Sequence, residues 1–101
     1  MMDKLSEFRE RIDAIDEKII RLISERLGIC NEVAHYKSEN DIPMMQPERV
    51  KEVLIRRKSL ADELALNPGL IENIYKLIVE QACILEDEII DNLNKEKIER
   101  S

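Results

Sequence analysis

Residues Leu5–Asn40, "LSEFRERIDAIDEKIIRLISERLGICNEVAHYKSEN", decide the architecture. Their apolar side chains fall at 5, 8, 12, 15, 19 and 22, then at 29/30, 33 and 36. Steps of three and four in alternation trace one face of a helix. Gly28 is the only glycine or proline in the run, so the spacing predicts one helix from about Asp3 to about Asn40. At roughly 1.5 Å per residue that helix is about 55 Å long. A compact domain of this size has a radius of gyration of about 13 Å. The helix therefore overhangs any core its own chain can build. A second copy is the simplest cover for the overhanging stripe, and an intertwined helical homodimer is expected.

Outward from this stretch, Asn40-Asp41-Ile42-Pro43 ends the helix, because a residue before proline is pushed out of the α region. Pro47 suits the first turn of a second helix, where its missing N–H costs nothing. That helix is expected to bury Val50, Val53, Leu54, Ala61 and Leu64 and to stop near Leu66. Asn67-Pro68 reads as cap and first turn of a third helix. Its apolar face carries Ile71, Ile74, Tyr75, Ile78, Ala82, Leu85, Ile89 and Leu93. The tail "NKEKIERS" is expected to fray. Met44 and Met45 read as loop anchors in the first turn. The expected fold is all-α, with three helices, one of them very long, in a single domain spanning 1–101.

Composition agrees and narrows the function. Charged residues make up 38% of the 101, aromatics 3%, and there are two glycines and no tryptophan, a balance typical of helical chains. A net charge of −6 argues against nucleic acid or an anionic membrane as partner. No apolar run reaches membrane-spanning length, and "MMDKLSEFRE" is charged from its third residue, unlike a secretory leader. A cytoplasmic chain is expected. Cys30 and Cys83 form no spaced motif and read as core or near-core thiols. One histidine, His35, without a Cys/His cluster gives a transition-metal site no support.

The informative residues are charges on the wrong face. Extending the series Leu5, Ile12, Ile19 by sevens reaches Arg26 and then Val33. At 100° per residue, Arg26 and Lys37 lie near the centre of the apolar arc, with Arg9 at its margin. A buried cation is costly without a partner. Two readings follow: an ion pair inside the bundle, with Asp16 or Glu86, or a bound anion. Arg26 and Lys37 stand eleven residues apart, about 16 Å along the axis, so long side chains could hold a small ligand between them. Arg9 is about 25 Å from Arg26, too far for the same small molecule unless a second chain supplies it. Glu86 falls inside the apolar arc of the third helix, where it could face the same pocket. With no nucleophile, Gly-rich phosphate loop or hydrolytic carboxylate pair, any chemistry rests on positioning and electrostatics.

These residues carry a resemblance. "FRERIDAIDEKIIRLISERLGICNEVAHYKSENDIPMMQPERV", followed by "LIVEQACILEDEII", resembles the small all-helical chorismate mutases from about Leu5 to Leu93. The opening R-x-x-I-D-x-I-D-x-x-I-x-x-L-I-x-x-R, then the lysine and P-x-R, carries the likeness. It implies an intertwined dimer of three-helix chains that converts chorismate to prephenate by a Claisen rearrangement, without a cofactor or metal. It further implies that Arg26, and Arg9 from the partner chain, grip the two substrate carboxylates. Lys37 would sit at a carboxylate and the ether oxygen, and Gln46 and Arg49 at the ring end near C4. Glu86 would hydrogen-bond the ether oxygen from the far side, which requires the protonated acid. Ala82 falls where some members have a hydroxyl that helps bind a carboxylate.

The sequence departs from the commoner pattern at three places. Glu86 replaces a more usual glutamine, Val50 stands where a glutamate often contacts the C4 hydroxyl, and Gln46 stands where an aspartate is common. The strings "IPMMQPERV" and "LED" look closest to members that act on 4-amino-4-deoxychorismate. That activity is the first alternative, followed by isochorismate pyruvate lyase, whose members also have a P-E-R-V segment. A non-catalytic helical dimerisation or regulatory module is the remaining class. It would keep the apolar stripes but gain nothing from Arg26 and Lys37 on them.

Overall fold

A computed structural model of the chain describes residues 3–43 and 46–100. Met44 and Met45, read above as loop anchors, lie outside the described residues. The architecture is all-α: α1 spans Lys4–Glu39, α2 spans Pro47–Glu63 and α3 spans Pro68–Arg100. Asp3 caps α1 by accepting the Ser6 backbone N–H at 2.7 Å. The next 36 residues run unbroken, as the three-and-four spacing requires. α3 packs against both α1 and α2 and is the element that joins them.

The body measures 67 × 33 × 15 Å, with a radius of gyration of 18.5 Å. A helix with its side chains is about 10–12 Å across, so the chain is little more than one helix thick. A single layer has no interior. The buried apolar residues among those described are Ala34, Val53, Ala61 and Ala82, all small and all at helix crossings. Leu5, Phe8, Ile12, Ile15, Ile19 and Leu22, the stripe that opens α1, are 43% to 61% exposed within the chain.

Three expectations need correction. Toward the end of α1 the face that meets α3 is set by Ala34, fully buried, with Cys30 and Lys37 half-buried beside it. Tyr36, assigned inward by its spacing, is 61% exposed. A small residue lets two helices approach closely, which a count of large apolar side chains does not register. In α2, Val53 and Ala61 are buried and Val50 and Leu54 half-buried, but Leu64 is exposed. The helix ends at Glu63 rather than near Leu66, and Leu64 is its C-cap. In α3 the described part of the tail is helical: the helix continues through Arg100, with no glycine or proline after Gly69 to stop it. Lys95 and Lys97 stand near its carbonyl end, where positive charge is favourable.

Both turns solve the helix-end problem in the same way. After α1, the Ile42 N–H donates to the Lys37 carbonyl at 2.9 Å across Asp41, whose φ is 54°. After α2, the Leu66 N–H donates to the Ala61 carbonyl at 2.8 Å and the Ala65 N–H to the Asp62 carbonyl at 3.2 Å, with Ala65 at φ 56°. This is the six-to-one closure that normally places glycine at the left-handed position. Asn67 then starts α3, its Oδ1 accepting the Gly69 N–H at 2.9 Å.

Ala65 is the strained member of the pair. The left-handed region costs an L-residue with a Cβ roughly 1–2 kcal/mol, while the extra freedom of glycine in the unfolded chain offsets about 0.5–1 kcal/mol. Ala65→Gly is therefore expected to stabilise the fold by about 0.5–1 kcal/mol in denaturant unfolding. An unchanged or lowered midpoint would show that the turn holds no such strain.

Candidate active site

The closure after α1 fixes more than a turn. Its acceptor is the carbonyl of Lys37, so the backbone under that side chain is tied to the start of the connection. From there Lys37 reaches across to α3, where its Nζ lies 3.2 Å from Oε1 of Glu86. Both side chains are largely removed from solvent, 15% and 10% exposed. Four residues before Glu86, and so on the same face of α3, lies the buried Ala82. α2 enters from the opposite side through Pro47, which brings Gln46, Arg49 and Val50 to the mouth.

These elements enclose a cavity of about 300 Å³. Seven of the eight residues singled out from the sequence line it: Arg26, Lys37, Gln46, Arg49, Val50, Ala82 and Glu86. Arg9 does not. It sits on the exposed first half of α1, seventeen residues from Arg26 and about 25 Å away along the axis. The two readings of the buried cations now separate. Lys37 has the ion pair with Glu86, so for these two the intra-bundle reading describes the chain as it stands. Arg26 has no carboxylate partner among the described residues; its Nη1 lies 4.0 Å from the Cys30 sulfur. Asp16 lies on the exposed half of α1 and pairs with neither.

The charge balance of the lining is lopsided. Arg26, Lys37, Arg49 and Arg57 face the cavity against a single carboxylate, Glu86. Arg49 also holds Glu52 at 3.0 Å, one turn along the surface of α2. Like charges gathered in a partly desolvated space repel, and a bound anion relieves them. Ile29, Val33, Val53 and Val79 complete an apolar wall. An anionic ligand with a flat hydrocarbon body matches both features, charged donors at its ends and apolar surface along its faces.

Sequence reasoning missed several wall residues. Cys30 and Cys83, expected as core thiols, are half-buried and face this cavity from α1 and α3. Burial first, and then the Glu86 carboxylate, push the Cys83 thiol above its ordinary range, which keeps it protonated. Arg57 was missed altogether. The signal was present: Val50, Val53, Arg57, Ala61 and Leu64 follow three-and-four spacing, with a cation on the apolar stripe as in α1.

Comparison with known proteins shows the family. Residues 8–87 match the family described as chorismate mutase type II. The chain is 34% identical to a 4-amino-4-deoxychorismate mutase of Streptomyces pristinaespiralis over 87% of its own length and 68% of that protein. It is 34% identical to the chorismate mutase of Methanocaldococcus jannaschii over 96% of its length and 99% of the relative's. A 4-amino-4-deoxychorismate mutase of Streptomyces venezuelae is 32% identical over 84% and 82% of the two chains. With the match covering most of the chain and a relative aligned almost end to end, this all-helical protein belongs to the chorismate mutase type II family.

Proposed function

We propose that the chain catalyses the Claisen rearrangement of chorismate to prephenate in this cavity. The observation that carries the reading is the Arg26 guanidinium, without a carboxylate partner among the described residues, in the same cavity as the Lys37–Glu86 pair and within an excess of positive charge. The reaction is unimolecular and forms no covalent enzyme intermediate. The protein has to hold a flexible dianion in a compact chair and then stabilise negative charge growing on the ether oxygen. Arg26 grips one carboxylate. Lys37, fixed at the end of α1, donates to a carboxylate and to the ether oxygen, turning part of its hydrogen-bonding capacity from Glu86 to substrate. Glu86 faces the ether from α3 and donates to it as the neutral acid. Gln46, Arg49 and Val50 meet the ring end near C4, and Ala82 leaves room for a carboxylate.

A second substrate has specific support. Among the described residues, the cavity wall formed by Gln46, Arg49 and Val50 carries no carboxylate. It lacks the group expected to contact a C4 hydroxyl, and two relatives are named 4-amino-4-deoxychorismate mutases. Product analysis with chorismate, isochorismate and 4-amino-4-deoxychorismate supplied separately decides the substrate. Prephenate from chorismate supports the first reading. Turnover of the amino compound alone moves the assignment to the second, and release of pyruvate from isochorismate moves it to a lyase.

The exposed α1 stripe and the distance of Arg9 from the cavity support a homodimer in which each site takes Arg9 from the other chain. We also propose a cytoplasmic setting, supported by two free thiols at the cavity wall, which a reducing compartment maintains. Sedimentation should give a dimer, and a folded, active monomer at low concentration would overturn it. Co-refolding an Arg9→Ala chain with a Lys37→Ala chain should restore activity through one intact site per heterodimer. No recovery would mean that Arg9 does not act across chains.

Arg26→Ala and Lys37→Ala should each lower kcat/KM by about 10²–10³-fold or more. Their effects on folding should differ. Arg26 has no carboxylate partner among the described residues, so its removal should leave the unfolding midpoint unchanged or raised. Loss of Lys37 strands a buried carboxylate and should cost about 3–5 kcal/mol at neutral pH. Lys37→Ala/Glu86→Gln should recover much of that stability without activity. Equal stability of the two single variants would remove the distinction.

Only the neutral acid form of Glu86 can donate to the ether oxygen, because a carboxylate accepts hydrogen bonds and donates none. Glu86→Gln keeps a permanent donor and should hold its activity at high pH. A wild-type profile level from about pH 5 to about pH 9 and unchanged by Glu86→Gln would leave Lys37 as the sole donor to the ether.

A further inference from the structure

We propose that Arg57 is a second carboxylate-binding arginine of the cavity, contributed by α2 and acting within the same chain as Arg26. The proposal rests on the dianion reading above and extends it to a residue with no assigned role.

Arg57 stands between Val53 and Ala61 on α2, two of the few buried apolar residues of the chain. A cation in that row has to be accounted for, since a half-buried charge without a partner is unfavourable. Among the described residues no carboxylate pairs with it. It is held instead by an aromatic ring: its guanidinium carbon lies 5.6 Å from the centre of Tyr75 on α3. A ring at this distance attracts the cation without neutralising it, and the planar N–H fork of a guanidinium matches a carboxylate. Arg57 lines the same cavity as Arg26 and Lys37.

The cavity's cations then sort into two pairs. Lys37 pairs with Glu86, and Arg49 with Glu52, which also holds Arg56 at 3.2 Å. Arg26 and Arg57 each lack a carboxylate and each rest on a soft surface, the Cys30 sulfur and the Tyr75 ring. Among the described residues the cavity thus presents two guanidiniums without a carboxylate partner, from two helices, and Arg57 would add a donor from α2 to the grip that Arg26, Lys37 and the other chain's Arg9 have on a dianion. Arg57 would fix how deeply the ligand sits along α2 and favour dicarboxylates over monocarboxylates.

The test uses Arg57→Leu, which keeps an apolar contact with Tyr75, and Arg57→Lys, which keeps the charge but loses the planar fork. Steady-state kinetics with the substrate identified for the wild type should show KM raised about tenfold or more in Arg57→Leu, with kcat changed much less. Arg57→Lys should recover part of the loss. Unfolding midpoints without ligand should agree with wild type within about 2 °C. Calorimetric binding of prephenate reads the same contact without turnover, and its affinity should fall about tenfold or more in Arg57→Leu. Unchanged KM and prephenate affinity in an active Arg57→Leu enzyme would overturn the proposal and leave the catalytic reading standing. A lowered unfolding midpoint with unchanged affinity would make Arg57 a packing residue of Tyr75. Wild-type protein that neither turns over any of the three substrates nor binds prephenate would overturn both.

Discussion

A body 15 Å thick cannot put a large side chain out of reach of water on both of its faces, and the other features of this chain follow from that limit. The residues that do become buried are alanines and one valine at the crossings, with Glu86 beside them. They are buried because helix backbones come close there, while the large apolar groups that open α1 stay 43% to 61% exposed within the chain. α3 alone touches both other helices, so it is the shared wall of everything the chain builds. The cavity opens where all three helices contribute residues, and its polar groups are held by elements that have little other reason to meet.

Within that cavity, electrostatics and local geometry reinforce each other. The backbone closure at Asp41 holds the Lys37 carbonyl, and the Lys37 ammonium holds Glu86 across the gap between helices. A salt bridge removed from water is a poor source of net stability, because desolvation offsets the attraction. Its value here is positional: it sets one cation and one carboxyl group against each other before any ligand arrives. Among the described residues Arg26 and Arg57 lack such partners, and the Cys30 sulfur and the Tyr75 ring beside them leave their charge un-neutralised.

Much of this was legible in the sequence, and each miss has its own physical cause. The length of α1 follows from uninterrupted spacing, and the starts of α2 and α3 from Pro47 and Asn67-Pro68, because prolines and caps act locally. Arg26 and Lys37 stood out because a charge breaks an apolar series that is otherwise regular. Ala34 and Tyr36 were exchanged because periodicity weighs side chains by size, whereas a close crossing selects for their absence. The left-handed turn at Ala65 was invisible because neither glycine nor asparagine marks it. Arg57 obeyed the rule that found Arg26, but the shorter stripe of α2 made the interruption less conspicuous. Glu86 and Asp16 both stood as partners in the bundle; that Lys37 takes Glu86, 49 residues away, depends on how α3 returns along α1, which no local pattern encodes.

The exposed stripe of α1 also bears on what stability means for this protein. If, as proposed, a second chain covers that stripe, folding and association are one equilibrium, and its position depends on concentration. Each tenfold dilution then removes about 1.4 kcal/mol from the assembled state, with no residue changed and no contact altered. A newly made chain would meet this cost most acutely, adhesive along six large apolar side chains until it finds another copy. Abundance therefore becomes a structural variable, and an expression level too low for pairing would silence the site as surely as the loss of a side chain.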